Sequence, residues 1–185
     1  MSSAITKLTT ADELLAMPED GFRYELIEGE LMRMSLAGAE HGAVAMNIAV
    51  ALFVHVRAQN LGTVYGVDTG FKLHSDPDTV RGPDVAFVTK KRVLEAGPTR
   101  GYFPGAPDFA IEVLSPNDSR RKTDAKAKQW LNTGVRLVWV VDPMRRNVMV
   151  YRSLAEIFEV DEAGILDGGD VVPDFQLAVA EIFSQ

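Results

Sequence analysis

Hydrophobic and polar positions along this chain change period several times, and each change marks an element boundary. Thr10-Ala11-Asp12-Glu13 suits a helix N-terminus, and Pro18 follows the end of a short helix over Thr10–Met17. Phe22–Ile27 and Leu31–Ser35 read as two strands around Glu28-Gly29, a hairpin turn because glycine tolerates positive φ. A long helix runs from Glu40 to Gln59, rich in Ala, Val, Ile and Leu and closed by Asn60-Leu61-Gly62. It is apolar nearly all round, which predicts cover on most sides. Short strands follow at Thr63–Val67, Gly70–Leu73, Asp84–Val88 and Phe109–Leu114. A helix over Ser119–Asn132 ends at Gly134, and Leu137–Val141 and Asn147–Tyr151 form a pair around the turn 142–146. Glu156–Val160 adds a strand, and Val179–Phe183 a helical turn.

This order mixes antiparallel hairpins with one helical crossover, Leu114 to Leu137, of the length that links parallel neighbours. The expectation is an α/β protein, a mixed sheet with helices packed against it, in one domain over residues 1–185. No cysteine is present, which excludes disulfides, thiolate zinc sites and cysteine nucleophiles. Met1–Thr10 lacks a basic segment followed by an apolar run, and Ala43–Val56 is too short to span a bilayer. The chain therefore reads as soluble and cytoplasmic, without a membrane partner.

Charge adds an asymmetry. The net charge is −7, which opposes indiscriminate binding of nucleic acid. Yet residues 81–152 hold fourteen of the nineteen basic residues and seven acids, so that segment carries about +7 and the rest about −14. A basic face around an acidic site would look like this, and so would ordinary solvated loops and helix faces.

Three features carry candidate chemistry. Asp84 follows Pro83 at the start of the apolar strand Val85-Ala86-Phe87-Val88, a position open to a cleft, although turn aspartates share the pattern. Glu112 sits in Phe109-Ala110-Ile111-Glu112-Val113-Leu114, where every neighbour is apolar. A carboxylate there costs several kcal/mol unless it is paired, protonated or bound to metal. The third feature is the basic helix that follows. Ala127, Trp130 and Leu131 share one side of it, with Lys126 and Lys128 on opposite flanks. Either lysine could snorkel toward Glu112, and periodicity does not choose between them. Two carboxylates with a lysine suit Mg²⁺ or Mn²⁺, with the lysine placed to orient or deprotonate a water or to stabilise charge on phosphorus.

These residues resemble the PD-(D/E)xK nuclease superfamily and, more narrowly, a bacterial family of restriction-endonuclease-like domains abundant in cyanobacteria. The likeness rests on Tyr24–Leu31, His41, Asp68–Phe71, Pro83–Phe87, Phe103–Asp108, Ile111–Pro116, Lys126 with Trp130, and Gly134-Val135 followed by Trp139–Pro143. It implies a restriction-endonuclease-like mixed central sheet flanked by helices, with an N-terminal β-hairpin. It also implies that Asp84 and Glu112 bind the metal, with the Val113 carbonyl as a further ligand. The superfamily places lysine two residues after the second acid, where this chain has Leu114. The resemblance moves that role to the following helix and selects Lys126. Glu25 and His41 are auxiliary candidates, against a plain strand-face glutamate and a helix-end histidine; Asp68 is a turn residue.

The function expected is a Mg²⁺- or Mn²⁺-dependent endonuclease that hydrolyses phosphodiester bonds of nucleic acid, with DNA favoured. The alternatives are a non-catalytic nuclease-fold module that binds a protein or nucleic acid, and a metal hydrolase of small phosphoesters. No G-x-G-x-x-G follows a strand, the three histidines lack zinc spacing, and no serine-hydrolase elbow occurs. Nuclease folds of this size suggest a homodimer by analogy, with Val148–Tyr151 and Phe158 as apolar surface.

Overall fold

Local chemistry sets the boundaries of the elements. Thr10 caps α1 (Ala11–Leu15) in a capping box: its hydroxyl accepts from Glu13 N at 3.2 Å, and its own N–H donates to Glu13 Oε2 at 2.9 Å. Strands β1 (Arg23–Ile27) and β2 (Glu30–Met34) turn on Glu28 and Gly29, at φ 50° and 81°, the two-residue geometry that matches strand twist. Helix α2 (Ala39–Gln59) stops at Asn60, which takes the left-handed conformation. Then come β3 (Gly62–Tyr65), β4 (Phe71–His74), β5 (Thr79–Arg81), β6 (Val85–Thr89), α3 (Lys90–Ala96), β7 (Phe103–Pro104) and β8 (Phe109–Val113). Helix α4 (Arg120–Asn132) starts at Ser119, whose hydroxyl accepts from Lys122 N. It leads into β9 (Leu137–Asp142), β10 (Asn147–Tyr151), β11 (Ile157–Val160), β12 (Ile165–Asp167), β13 (Gln176–Ala178) and α5 (Val179–Ile182). This computed structural model describes residues 8–67, 69–116 and 118–184, apart from the side chain of Arg120.

A six-stranded sheet ordered β11-β10-β9-β8-β6-β3 forms the centre of the fold. Only β8 and β9 run parallel within it, Phe109 opposite Leu137, joined by the crossover through α4. The N-terminal hairpin belongs to a second, five-stranded sheet, β2-β1-β5-β4-β7. The fold is thus the mixed α/β arrangement with flanking helices that the periodicity implies. Not expected were α3 and the two- and three-residue strands β5, β7, β12 and β13.

Alternation along β8 divides its side chains between two layers. Phe109, Ile111 and Val113 pack with Val44, Ile48 and Leu52 of α2, whereas Ala110 packs with Ala127 and Trp130 of α4. Glu112 shares Ala110's side and therefore faces α4. Truncating a fully buried residue of the first layer, such as Ile48, costs on the order of 2–5 kcal/mol. Gly62 lets β3 approach β6 closely, since a Cβ there would lie 2.0 Å from the Val88 carbonyl oxygen.

Two expectations need correction. Helix α2 is long and apolar enough to cross a membrane, but Val44, Ile48, Leu52 and Val56 bury one side of it in the sheet core. Its other side is open, not covered: Met46, Val50, Phe53 and Val54 are exposed. The strand Val148–Tyr151 offers no dimer surface, because Val148, Val150 and Tyr151 are buried inside the chain. Only Phe158 of that patch is exposed, and Arg152 stacks over it.

Candidate active site

The strand register brings the first acid to the second. Val85 lies opposite Ile111, so Asp84 stands just before β6 and beside the C-terminal end of β8. Its N–H donates to the Ile111 carbonyl at 3.0 Å, and its Oδ2 accepts from Val113 N at 2.7 Å. These two backbone bonds fix the carboxylate against the strand that carries Glu112. His41, buried in the first turn of α2, brings Nε2 to 3.2 Å from the same Oδ2. Asp84 Oδ1 receives no hydrogen bond from a described residue.

Glu112 is 6% exposed and reaches α4 through both oxygens. Lys126 Nζ donates to Oε2 at 2.8 Å and Trp130 Nε1 to Oε1 at 2.7 Å. The donors are four residues apart, so one face of the helix delivers both. Lys128 turns away and pairs with Asp124 at 2.8 Å. From the second sheet, Glu25 places Oε1 3.8 Å from Lys126 Nζ. Arg81 Nε and Gly82 N hold Glu25 at 3.1 and 3.2 Å, and Arg81 also donates to Gln129 of α4 at 2.7 Å. The structure thus gathers Asp84, Glu112, Lys126, Glu25 and His41 into one contact chain, with the Val113 backbone between the acids. Asp68 lies outside the described residues.

Residues 11–180 match the model of the Uma2 family, described as "Putative restriction endonuclease". The chain belongs to the Uma2 family. A solved structure similar to this Uma2 chain is described as a "putative nuclease belonging to DUF820" from Anabaena variabilis. It is 25% identical, with a TM-score of 0.80, over 94% of this chain and 97% of that one. No curated protein matches.

In this Uma2 domain each acid has its own internal partner, Lys126 for Glu112 and His41 for Asp84. Burial pushes the Glu112 carboxyl up; the charge of Lys126 opposes that shift and the charge of Asp84 adds to it. Burial works against the Lys126 ammonium as well, but Glu112 and Glu25 outweigh it and hold its pKa above the usual lysine value. The hydrogen bond to Asp84 raises His41 against the effect of burial, and the Val113 backbone and Asp118 add to the rise. His41 Nδ1 is buried without a hydrogen-bond partner.

The donor types suit a hard divalent cation: two carboxylates and a strand-end carbonyl, with Asp84 Oδ1 uncommitted. Among the described residues, however, no cluster of three or more acidic or histidine side chains is arranged around one point. Further side-chain donors to a metal would have to come from groups now held by Lys126, Trp130 or His41. A cleft of about 340 Å³ opens where β8 and β9 end, lined by Glu40, Leu114, Ser115, Asp118, Asp142 and Arg145 but by neither Asp84 nor Glu112. A larger cavity of about 740 Å³ lies at the opposite end of β9, among Asn132, Arg136, Arg152 and Asp170, and contains none of these acids.

Two participants escaped the sequence reading as members of the site. Arg81 carries a signal in hindsight, since it stands three residues before Asp84 and anchors Glu25. Trp130 is marked by its i, i+4 spacing from Lys126. Ion pairing accounts for at least half of the fourteen basic residues in the segment 81–152. Arg81, Arg92, Lys126, Lys128, Arg136, Arg146 and Arg152 are all ion-paired, several with acids outside residues 81–152.

Proposed function

We propose that this chain is a Mg²⁺- or Mn²⁺-dependent endonuclease that hydrolyses phosphodiester bonds of DNA, with residues 1–185 acting as one nuclease-like domain. The observation that carries this reading is Glu112, a carboxylate in an apolar strand, held by Lys126 and adjacent to Asp84. Asp84, Glu112 and the Val113 carbonyl would hold the ion, which supplies charge neutralisation at the phosphate and lowers the pKa of a water ligand. Lys126, kept as an ammonium by Glu112 and Glu25, orients the attacking water and stabilises negative charge developing on phosphorus. His41 fixes Asp84 through Oδ2 and leaves Oδ1 uncommitted. Glu25, anchored by Arg81, positions the lysine rather than touching substrate. Arg121 and Lys122, exposed one turn before Lys126, are the phosphate contacts.

Purified protein incubated with plasmid and Mn²⁺, beside Asp84→Ala, tests this reading. Cutting by the parent and none by the variant is expected; equal cutting, or none by either, sinks it. A second reading is favoured by the internal partners that both acids already have, Lys126 at Glu112 and His41 at Asp84. On that reading the domain is a non-catalytic nuclease-fold module that binds nucleic acid or protein. Calorimetric titration with Mn²⁺ separates the two, because only the enzyme shows binding that Glu112→Gln abolishes.

A further inference from the structure

The uncovered side of α2 has a period of its own. Ala39, Ala43, Met46, Val50, Phe53 and Arg57 follow one another at intervals of four and three, and all are exposed. This is the a/d spacing of a coiled-coil seam, with a 3.5-residue repeat, and the exposed Val54 flanks it. The core side is separately satisfied by Val44, Ile48, Leu52 and Val56. Leu36, 90% exposed, stands in the segment that leads into the helix.

We propose that this seam is a homodimer interface in which α2 of two copies packs antiparallel about a two-fold axis at Val50. Size complementarity points to a second copy. The seam is narrow at its N-terminal end, where Ala39 and Ala43 lie, and bulky at its C-terminal end, where Phe53 and Arg57 lie. An axis at Val50 sets Met46 against the partner copy's Phe53 and Ala43 against its Arg57, so each narrow end receives a bulky one. Charge agrees, since Arg57 then lies one helical turn from the exposed Glu40 of the other copy. A parallel pair would instead stack Arg57 on Arg57.

A lipid surface fits the face poorly. Arg57 is its one basic group, and the chain carries −7, which anionic headgroups repel. Insertion as a spanning helix would strip Ile48 and Leu52, both fully buried, from the sheet core. A single pair of helices is a small interface, so dissociation in the micromolar range is expected. His41 lies on the opposite, core-facing side of α2, and the interface leaves it in place.

The absence of cysteine gives a direct test on the full chain. Val50→Cys, on the proposed axis, should form a disulfide-linked dimer on mild oxidation, whereas Leu94→Cys, on α3 and 71% exposed, should not. Mixing Ala43→Cys with Arg57→Cys should give the mixed product, as antiparallel packing requires. Sedimentation from about 1 to about 200 µM should show a shift toward twice the 20.3 kDa chain mass. Val50→Arg should abolish that shift with unchanged circular dichroism, since residue 50 is already half exposed. A chain monomeric throughout, a dimer that Val50→Cys fails to link or Val50→Arg fails to split, or Ala43→Cys linking only to itself would overturn the proposal. The readout is mass, so it stands or falls independently of DNA cleavage.

Discussion

Lys126→Met keeps the length of the side chain and deletes its ammonium, leaving Glu112 with Trp130 Nε1 as its remaining donor among the described residues. Removing one partner of a buried ion pair costs about 3–5 kcal/mol. The lower end applies here, because the Lys126 side chain is 20% exposed and Trp130 still satisfies one carboxylate oxygen. We therefore expect a loss of about 3 kcal/mol at pH 7 in urea unfolding monitored by tryptophan fluorescence. The sign with pH follows from the carboxyl. Its folded-state pKa is raised by burial, so ionising it costs more in the folded protein than in the unfolded chain. The deficit should shrink as pH falls toward the ordinary glutamate value of 4.5 and grow as pH rises through the raised pKa. Adding Glu112→Gln, which keeps an acceptor for Trp130 and removes the buried charge, should recover most of the loss. A single-variant loss below about 1 kcal/mol, a deficit that does not vary with pH, or a double variant no better than the single would refute the buried-pair reasoning.

Further predictions follow the same logic. Trp130→Phe deletes the donor to Glu112 Oε1 and should cost about 1.5–3 kcal/mol in urea unfolding, the range for a hydrogen bond to a charged group. His41 has a raised folded pKa, so its stabilisation is complete below the ordinary histidine value of 6.5 and is lost as pH rises through the raised one. His41→Ala in metal-free protein should therefore lower the melting temperature more at pH 6 than at pH 9; a pH-independent loss would point to packing alone. Replacing Arg121 and Lys122 with glutamate should weaken DNA binding and reduce the slope of log affinity against log salt by about 2. An unchanged slope would remove them from the phosphate path.

Much of this architecture could be read from periodicity, and the failures have physical causes. The apolar run around Glu112 marks both the central strand and the residue that most needs a partner, because a charge in that setting cannot be left unpaired. The crossover length predicts the parallel pairing of β8 and β9. Two- and three-residue strands such as β7 and β12 are too short to express a period, and tertiary pairing alone defines them. The choice between Lys126 and Lys128 was closed to helical geometry, since both flank the apolar side. It depends on where Glu112 falls along β8, which is information about another element. Helix α2 misled for a related reason: an all-round apolar composition predicts burial only if a single chain supplies all the cover. Segment charge alone decided nothing about a basic face, because some of its residues pair with acids from distant parts of the chain, such as Glu162 and Asp170.

Lys126 stands on a helix while the acids it meets stand on or beside strands, and this divides the site into two mechanically separate parts. The ladder of β6, β8 and β9 fixes Asp84 and Glu112 whether or not α4 is seated. The amine arrives only with the helix, in step with Trp130 and with Gln129, which ties α4 to Arg81. A slide of α4 by one turn, about 5.4 Å, would carry the ammonium out of reach and leave the sheet intact. On the proposed reading, competence depends on how one helix is seated, and a relative without that lysine would still look like this fold in every strand.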